Sequence, residues 1–479
     1  MKLGRRFVFG AIVLAPLLLI LAGWLLLLLG RQGGMDPFRV PQDAPRTPSA
    51  DTAVIARGAY LAKLGNCAGC HTAPGGQAYA GGLAFDTPYG RVYSSNLTPD
   101  AQDGIGAWSN AEFRHALRHG VSRNGVQSPV FPYASFAHVD DADTEALFAY
   151  LATLAPVAQT PPADQLEFPA NLPGAMIAWR LLYYRPAPLP QLATAELSRG
   201  QALVNGIGHC AVCHGSRGTF ASLAAGAALG GGRVTGWYAP ALDQRSLAHF
   251  AAGDLARYLG GEVVNGRGAY GRMADVIGAN LQHLQAADAA AIETYMRALS
   301  PPAPSRRADA SLQVAAPAED IAVGERLYSE HCADCHGADG KGKDTHYPAL
   351  ANSGIQDKDI QNPTLANPST KDRDTHNPAL ADLSAKDNAK NKDTHYPAIN
   401  TSTAITGPDP ANLIKLIQFG AAAPVTAKHP QPYTMPPFAQ QLSAQQVASL
   451  VNALRQRWGT PQRPVTADDV DAWGGIELH

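Results

Sequence analysis

Charged residues and spare thiols are scarce in this chain of 479 residues. Only 16% of the residues are charged, and 38 basic against 40 acidic side chains leave a formal net charge of −2. The sequence has no basic stripe of the kind that follows a phosphate backbone, so nucleic acid is not an expected partner. Long strand-like alternation is also absent, whereas Gly (46) and Pro (37) are abundant. This composition predicts a mainly α-helical protein of about two to four compact domains joined by irregular loops.

All six cysteines belong to one repeated pattern, and none is left over. They form three C-x-x-C-H motifs, which are Cys67, Cys70 and His71; Cys210, Cys213 and His214; and Cys332, Cys335 and His336. This pattern attaches c-type haem, since two thiols add to the haem vinyl groups and the next residue, a histidine, binds iron. A redox C-x-x-C pair needs no histidine, and a zinc site usually needs a second C-x-x-C nearby. We therefore expect three covalently bound haem c groups, with the six cysteines as tethers and the three histidines as iron ligands.

Each motif lies between two helical patterns with apolar residues at helical spacing. The preceding helices contain Gly58, Gly200 and Gly324, and the closing helices read DTEALFAYLATL, AAAIETYMRAL and QQVASLVNALRQRW. A glycine allows two helix backbones to approach closely, so we expect the first and last helices of each unit to cross.

These motifs and their companion segments resemble one known family. The segments are YSSNLTPDAQDGIGAWSNAEF, GWYAPAL, GRMADV, CADCHGADGKG, YTMPPF and RWGTPQRPVTADDVDAW. They are similar to those of the three-haem cytochrome c subunits of bacterial membrane-bound periplasmic dehydrogenases for alcohol, aldehyde, gluconate or sorbitol. The resemblance implies three tandem class I cytochrome c domains after an N-terminal transmembrane helix.

The expected organisation follows the motifs and the linkers rich in Pro and Ala. Its parts are an N-terminal anchor or signal (1–34), cytochrome c domain 1 (51–155), a linker (156–195), domain 2 (196–300), a second linker (301–318), domain 3 (319–460) and a C-terminal tail (461–479).

The N-terminus predicts attachment to the inner membrane. Lys2, Arg5 and Arg6 precede an apolar run from Phe7 to Gly30, and about 20 apolar residues suffice for a transmembrane helix. A cleaved signal peptide is the alternative, although its apolar body is usually shorter and ends at a small-residue cleavage site. In both cases the positive charges remain in the cytoplasm and the haem domains face the periplasm.

Two of the six methionines are expected to bind iron. Met273 in GRMADV and Met435 in YTMPPF each follow a haem motif and precede the closing helix, in an expected loop. A thioether sulfur as the sixth ligand favours ferrous iron and raises the reduction potential. Met296 lies within a closing-helix pattern and is expected in a core.

The first unit has no such methionine. Relatives commonly have Met-Pro-Tyr where this chain has Phe131, Pro132 and Tyr133. Either the iron of haem 1 is five-coordinate or a histidine binds it. His138 is the better candidate, because His115 and His119 are expected to face solvent on one helix.

The third unit contains a repeated insertion at about 344–392. KDTHYPAL at 343–350 recurs as KDTHYPAI at 392–399, with related octapeptides between. Its polar composition predicts a solvated surface loop. The alternative is that His346, His376 and His395 bind a metal or a partner. Pro348 or Pro397 would supply the carbonyl that orients the haem histidine in this family.

The sequence therefore predicts a non-catalytic subunit of an oxidoreductase complex. We expect it to carry electrons from a dehydrogenase catalytic subunit to ubiquinone or a terminal oxidase, with no catalytic acid, base or nucleophile of its own. Two alternatives are open: a peroxidase-like haem enzyme or sensor that uses an open site on haem 1, and a cytochrome subunit of a respiratory oxidase.

Overall fold

A computed structural model of the chain describes two compact units, Met1–Ala228 (unit 1) and Leu229–His479 (unit 2). The described residues are 22–25, 40–41, 48–185, 189–218, 222, 229–234, 236–244, 246–299, 315–342, 344–345, 394–395, 398–430, 432–459 and 463–474. The boundary between the units falls within the predicted domain 2, and the division into three domains stays a prediction.

No helix among the described residues is long and apolar enough to cross a membrane. Most of the segment 1–34, where the sequence predicts a span, lies outside them.

Unit 1 is mainly helical, as predicted. Its described helices are α1 (Thr52–Leu64), α2 (Cys67–Cys70), α3 (Asn110–His119), α4 (Tyr133–Phe136), α5 (Asp141–Leu151), α6 (Ala175–Tyr183), α7 (Ala195–Ala202) and α8 (Ala211–His214), with a π-helical turn at Leu203–Ile207. The described strands are β1 (Ala84–Thr87), β2 (Gly90–Tyr93), β3 (Val121–Ser122), β4 (Gly125–Val126) and β5 (Gln165–Leu166), paired antiparallel as β1–β2–β5 and β3–β4.

Helices α1 and α5 cross closely over the first motif, as the sequence predicts. A methyl group on Gly58 would collide with the Ala146 carbonyl oxygen, so only glycine fits this crossing. The Arg57 guanidinium forms an ion pair with the buried Asp143 carboxylate on α5. Leu61 and Leu147 are buried nearby, and burying each stabilises the fold by about 1.5–3 kcal/mol.

A local sequence signal fixes where helix α3 begins. Ser109 and Glu112 form a capping box at the start of α3, with the Ser109 hydroxyl accepting from the Glu112 amide and the Glu112 carboxylate accepting from the Ser109 amide. Such caps stabilise a helix by about 1 kcal/mol. Arg123 also donates two hydrogen bonds to Glu112, at 2.6 and 2.7 Å. The β3–β4 hairpin that carries Arg123 is thereby held against α3.

Unit 2 is also mainly helical. Its described helices are α9 (Asp254–Leu259), α10 (Gly271–Ala279), α11 (Ala286–Ala298), α12 (Ala318–His331), α13 (Ala333–His336), α14 (Thr403–Thr406), α15 (Ala411–Phe419), α16 (Ala444–Trp458) and α17 (Ala467–Gly474), with a 3₁₀ turn at Leu281–His283. Its described strands are β6 (Gly232–Val234), β7 (Trp237–Ala239), β8 (Asp344–Thr345), β9 (Thr394–His395), β10 (Ala421–Ala422) and β11 (Thr434–Met435), in antiparallel pairs β6–β7, β8–β9 and β10–β11.

The core of unit 2 repeats the crossing seen in unit 1. Gly324 on α12 lies against the Ser449 carbonyl oxygen on α16, where a methyl group would collide with it. The core includes Ile414 and Val451, which are fully buried. Val470, in the predicted C-terminal tail, is also fully buried in this core. Met296 is 4% exposed on α11, which confirms its expected core position.

Candidate haem-attachment sites

The three C-x-x-C-H motifs form the same helical turn. The amide of the motif histidine donates to the carbonyl oxygen of the first cysteine at 2.9 Å for His71, 2.8 Å for His214 and 2.9 Å for His336. All six thiols are free of disulfides. One turn of helix thus presents two thiols and an imidazole together in each motif, which is the donor set that covalent haem c attachment requires.

In the first motif, the neighbouring residues set the shape of this turn. Asn66 precedes it in a left-handed conformation, with φ 52°, and its side chain donates to the Cys70 sulfur at 3.8 Å. A methyl group on Gly69 would collide with the Asn66 amide. Gly69 therefore leaves room for the Asn66 side chain beside this turn.

A backbone carbonyl orients the first motif histidine. The Nδ1 atom of His71 lies 2.6 Å from the Ser95 carbonyl oxygen. An Nδ1–H donor bound there fixes the neutral tautomer and leaves the Nε2 lone pair for iron. This contact fits a haem iron ligand. In the sequence, Ser95 lies within the segment YSSN, and no local pattern there predicts its contact with His71.

Close loop packing holds the Ser95 carbonyl in place. Gly81 has φ +75° and approaches Ser94 and Ser95 so closely that a methyl group would collide with their backbone. The Gly81 amide also donates to the His71 carbonyl oxygen at 2.8 Å. The next residue, Asn96, is 2% exposed and donates to the Val157 carbonyl oxygen at 2.8 Å.

Burial sets the protonation of these groups. It raises the pKa of Cys67 and Cys210 to about 12 and that of Cys332 to about 11, so the thiols stay protonated at neutral pH. It also lowers the pKa of His71 below its usual range. A neutral imidazole has the lone pair that iron needs. The neutral imidazole of the first motif thus suits iron ligation.

The two methionines predicted as ligands lie in different local structures. Met273 is half-buried in helix α10, beside Ala269, Ala274 and Ile277, so its expected loop position was wrong. Met435 is half-buried in strand β11 and pairs with Ala421. His336 and Met435 belong to unit 2, whereas His214 belongs to unit 1 and Met273 to unit 2. Their role as iron ligands stays a prediction.

Phe131 packs as an ordinary aromatic side chain. It is half-buried, and its ring centroid lies 5.3 Å from that of Phe136. His138, the predicted alternative ligand, is half-buried close to Gly206. Burial lowers the pKa of His138, which favours its neutral form.

The expectation that His115 and His119 face solvent was wrong. The Nε2 atom of His115 and the Nδ1 atom of His119 are buried, and neither has a hydrogen-bond partner among the described residues. Their rings lie 5.2 Å apart at the end of α3. Burial first, and neighbouring charges next, lower the pKa of His119 to about 4.

The ends of the repeated insertion meet in unit 2. Strand β8 pairs with β9 in the register Asp344 to His395 and Thr345 to Thr394. The amides of Ile399 and Asn400 donate to the Gly340 carbonyl oxygen at 2.8 and 3.1 Å. An insertion whose ends adjoin can leave the surrounding fold unchanged. His346, His376, Pro348 and Pro397 lie outside the described residues.

Comparison with known proteins places these sites in context. The cytochrome c family profile matches residues 55–155 and 321–389. The chain is 32% identical over 450 residues to the cytochrome c subunit of alcohol dehydrogenase (quinone) from Gluconacetobacter polyoxogenes, covering 89% of this chain and 85% of that protein. It is 33% identical over 444 residues to the gluconate 2-dehydrogenase cytochrome c subunit of Pantoea cypripedii, covering 88% and 89%.

A third relative is much longer than this chain. A nicotinate dehydrogenase subunit from Pseudomonas putida is 34% identical over 446 residues, which are 91% of this chain and 32% of that protein. The chain therefore spans about a third of the length of that relative.

Proposed function

Because this chain belongs to the family of dehydrogenase cytochrome c subunits, we propose that it passes electrons from a periplasmic dehydrogenase catalytic subunit to ubiquinone or a terminal oxidase. The electrons would travel through three haem c groups in domains 51–155, 196–300 and 319–460. The chain itself would be the electron-transfer subunit and would perform no substrate chemistry.

One observation carries this proposal. Three separate parts of the chain form the same one-turn helix, in which the histidine amide donates to the first cysteine carbonyl within 0.1 Å of the same length, 2.8 to 2.9 Å. A single such turn would fit a simple redox or zinc site as well. Three of them, each with an adjacent histidine and no other cysteine in the chain, support three haems.

The chain's own residues would hold the haems and set their environment. Each haem c supplies a one-electron iron couple when bound. The cysteine pairs would tether the porphyrins, and His71, His214 and His336 would bind iron. The hydrogen bond from His71 to Ser95 would keep its Nε2 directed toward the metal. Met273 and Met435 would add soft thioether ligands and raise the potentials of haems 2 and 3.

Haem 1 would differ from the other two. Phe131 has no lone pair, and it packs against Phe136 rather than offering a donor. Without a sulfur ligand, the potential of haem 1 would lie below those of haems 2 and 3. Haem 1 would then be the strongest reductant of the three.

The proposed location is the periplasmic face of the inner membrane. Lys2, Arg5 and Arg6 before the apolar run Phe7 to Gly30 support a span with its charged end in the cytoplasm. A membrane position would bring the haem domains close to ubiquinone, which is confined to the bilayer.

Gentle detergent purification of the tagged chain from its native host tests this proposal. We expect a stoichiometric dehydrogenase subunit, three haems per chain by mass spectrometry, and haem reduction by the substrate of that dehydrogenase. A variant with Cys332 and Cys335 replaced by Ala should retain two haems and lose electron delivery to quinone. Recovery of the chain alone, with haems that turn over peroxide, would contradict the proposal and favour the peroxidase-like alternative.

A further inference from the structure

One surface segment of unit 1 exposes apolar side chains and buries its charged side chain. Between Phe168 and Tyr184 the sequence contains a single charged residue, Arg180. Arg180 is 1% exposed, whereas Phe168 is 76%, Leu172 51% and Leu182 38% exposed. Surface segments that face water normally show the opposite arrangement. This segment is therefore suited to apolar surroundings.

Arg180 fixes the segment to helix α3. Its Nη1 donates to the His119 carbonyl oxygen, and its guanidinium carbon lies 4.2 Å from the ring centroid of Tyr184 and 5.6 Å from that of Tyr133. The Tyr184 hydroxyl donates to the Arg118 carbonyl oxygen at 3.1 Å. These carbonyls end α3, where the helix dipole is negative and favours a cation. The exposed side chains consequently form a fixed surface and not part of a free tether.

A groove beside this segment is also apolar. Its volume is about 320 Å³, and nine described residues line it, none of them charged. They include Val126 from the β3–β4 hairpin, Leu166 from β5, and Met176 and Ile177 from α6. Exposed apolar surface is typical of sites that contact a membrane, a ligand or another protein.

We propose that this surface lies in the interfacial layer of the bilayer. We define the apolar face as the three exposed apolar side chains Phe168, Leu172 and Leu182. The inference rests on the membrane attachment in the proposed function, and it adds a second contact with the membrane, made by the segment from Phe168 to Tyr184.

The dimensions of the segment fit an interfacial position. Helix α6 has nine residues and is about 14 Å long, which is far short of a bilayer but suits a helix that lies along its surface. Trp179 and Tyr183 are half-buried one turn apart on α6, with ring centroids 5.6 Å apart. Aromatic residues of this kind are enriched at the membrane interface.

The N-terminal sequence would keep unit 1 close to the membrane. The chain between Gly30, where the apolar run ends, and Thr52, where α1 begins, can span at most about 75 Å by its covalent geometry. A surface tethered within that distance of a span can reach the headgroup layer.

The chemistry of the face favours lipid over a protein partner. Protein interfaces combine an apolar core with hydrogen-bonding and charged groups at the rim. Among the residues that line the groove, Asn171 is the one with a polar side chain. Acyl chains need no hydrogen bonds, so they suit such a surface.

Photolabelling from within the bilayer tests the proposal. The full-length haem-loaded protein would be reconstituted in phosphatidylethanolamine and phosphatidylglycerol vesicles with a lipid that carries a diazirine in its acyl chain. We expect mass spectrometry to find label in the peptide from Phe168 to Leu182. F168E/L172E should lose that label while the N-terminal segment stays labelled and the haem spectrum is unchanged. F168Q/L172Q, which adds no charge, should show an intermediate loss.

The controls separate this inference from the proposed function. V425E, which changes an exposed aliphatic side chain of unit 2, should leave the labelling as in the unchanged protein. Label in the N-terminal segment but not in the apolar face would overturn the inference. The inference would also be overturned if the face is unlabelled and the F168E/L172E variant no longer co-purifies with a dehydrogenase. The face would then bind protein. Haem reduction by the dehydrogenase substrate, measured on the same vesicles with the partner added, tests electron transfer separately.

Discussion

Asn412 and Tyr238 exchange two hydrogen bonds within unit 2. The Tyr238 amide donates to Asn412 Oδ1 at 2.8 Å, and Asn412 Nδ2 donates to the Tyr238 carbonyl oxygen at 2.8 Å. The side-chain amide of Asn412, at the start of α15, thus pairs with β7 as a neighbouring strand would. Asn412 is 5% exposed. The region that follows the second haem motif is in this way joined to the fold around the third.

Replacing Asn412 with alanine should destabilise unit 2. The change removes both hydrogen bonds and leaves the half-buried Tyr238 amide and carbonyl without these partners, so we expect a loss of about 1–3 kcal/mol in the free energy of unfolding. Urea unfolding followed by circular dichroism measures it. Gln445→Ala, at an exposed position on α16, is the control and should change stability by less than about 0.5 kcal/mol. Equal stabilities of the two variants would contradict the structural role of Asn412.

The close crossing of α1 and α5 predicts that Gly58→Ala destabilises the protein. On an isolated helix, Gly58→Ala would stabilise by about 1 kcal/mol through helix propensity. At this crossing the new methyl group meets the Ala146 carbonyl oxygen, and overpacking costs about 1–3 kcal/mol or more. We therefore expect a lower thermal unfolding temperature, measured on the haem-loaded protein. Ala56→Ser, at an exposed position on the same helix, should have little effect. A Gly58→Ala variant more stable than the unchanged protein would show that the crossing is not tight.

The helices and the haem-binding residues could be predicted from sequence because their signals are local. The motif spacing, the helical periodicity and Gly58 and Gly324 each act over a few residues, and both glycines do lie at close helix crossings. The Ser95 carbonyl and Asn412 could not be assigned in this way. Each acts on a residue far away in the chain, and no short pattern encodes which carbonyl or amide it will meet.

The residues whose predicted positions were wrong also show that local patterns do not encode distant contacts. Met273 follows a glycine-rich stretch, which favours a loop, yet it lies in α10 and packs against Ile277, one turn further on. Spacing on α3 puts His115 and His119 on one face, but it does not reveal that Arg180, far along the chain, lies over the end of that helix. Tertiary contacts decided both cases.

His119 predicts a pH dependence of stability. Burial holds its pKa at about 4 in the folded chain, against about 6.5 when unfolded. Between these values the unfolded chain binds the proton and the folded chain does not, so stability is complete above about pH 6.5 and decreases as the pH falls toward 4. His119→Gln should lose less stability than the unchanged protein between about pH 7.5 and about pH 5, in urea unfolding. His331→Gln, at an exposed position on α12, is the control. An unchanged pH dependence in His119→Gln would contradict the burial of its ring.

Phe131→Met should give haem 1 the sulfur ligand that the sequence lacks. Phe131 is half-buried against Phe136 at the position where relatives commonly have methionine, and a thioether of similar volume can occupy that space. We expect the lowest haem potential to rise by on the order of 0.1 V, a fraction of the roughly 0.8 V that axial ligands span. Redox titration with electron paramagnetic resonance measures the potential and the ligation together. Phe131→Leu removes the ring without adding sulfur and should leave the potential low. Three His/Met signals in the unchanged protein would contradict the distinct ligation of haem 1.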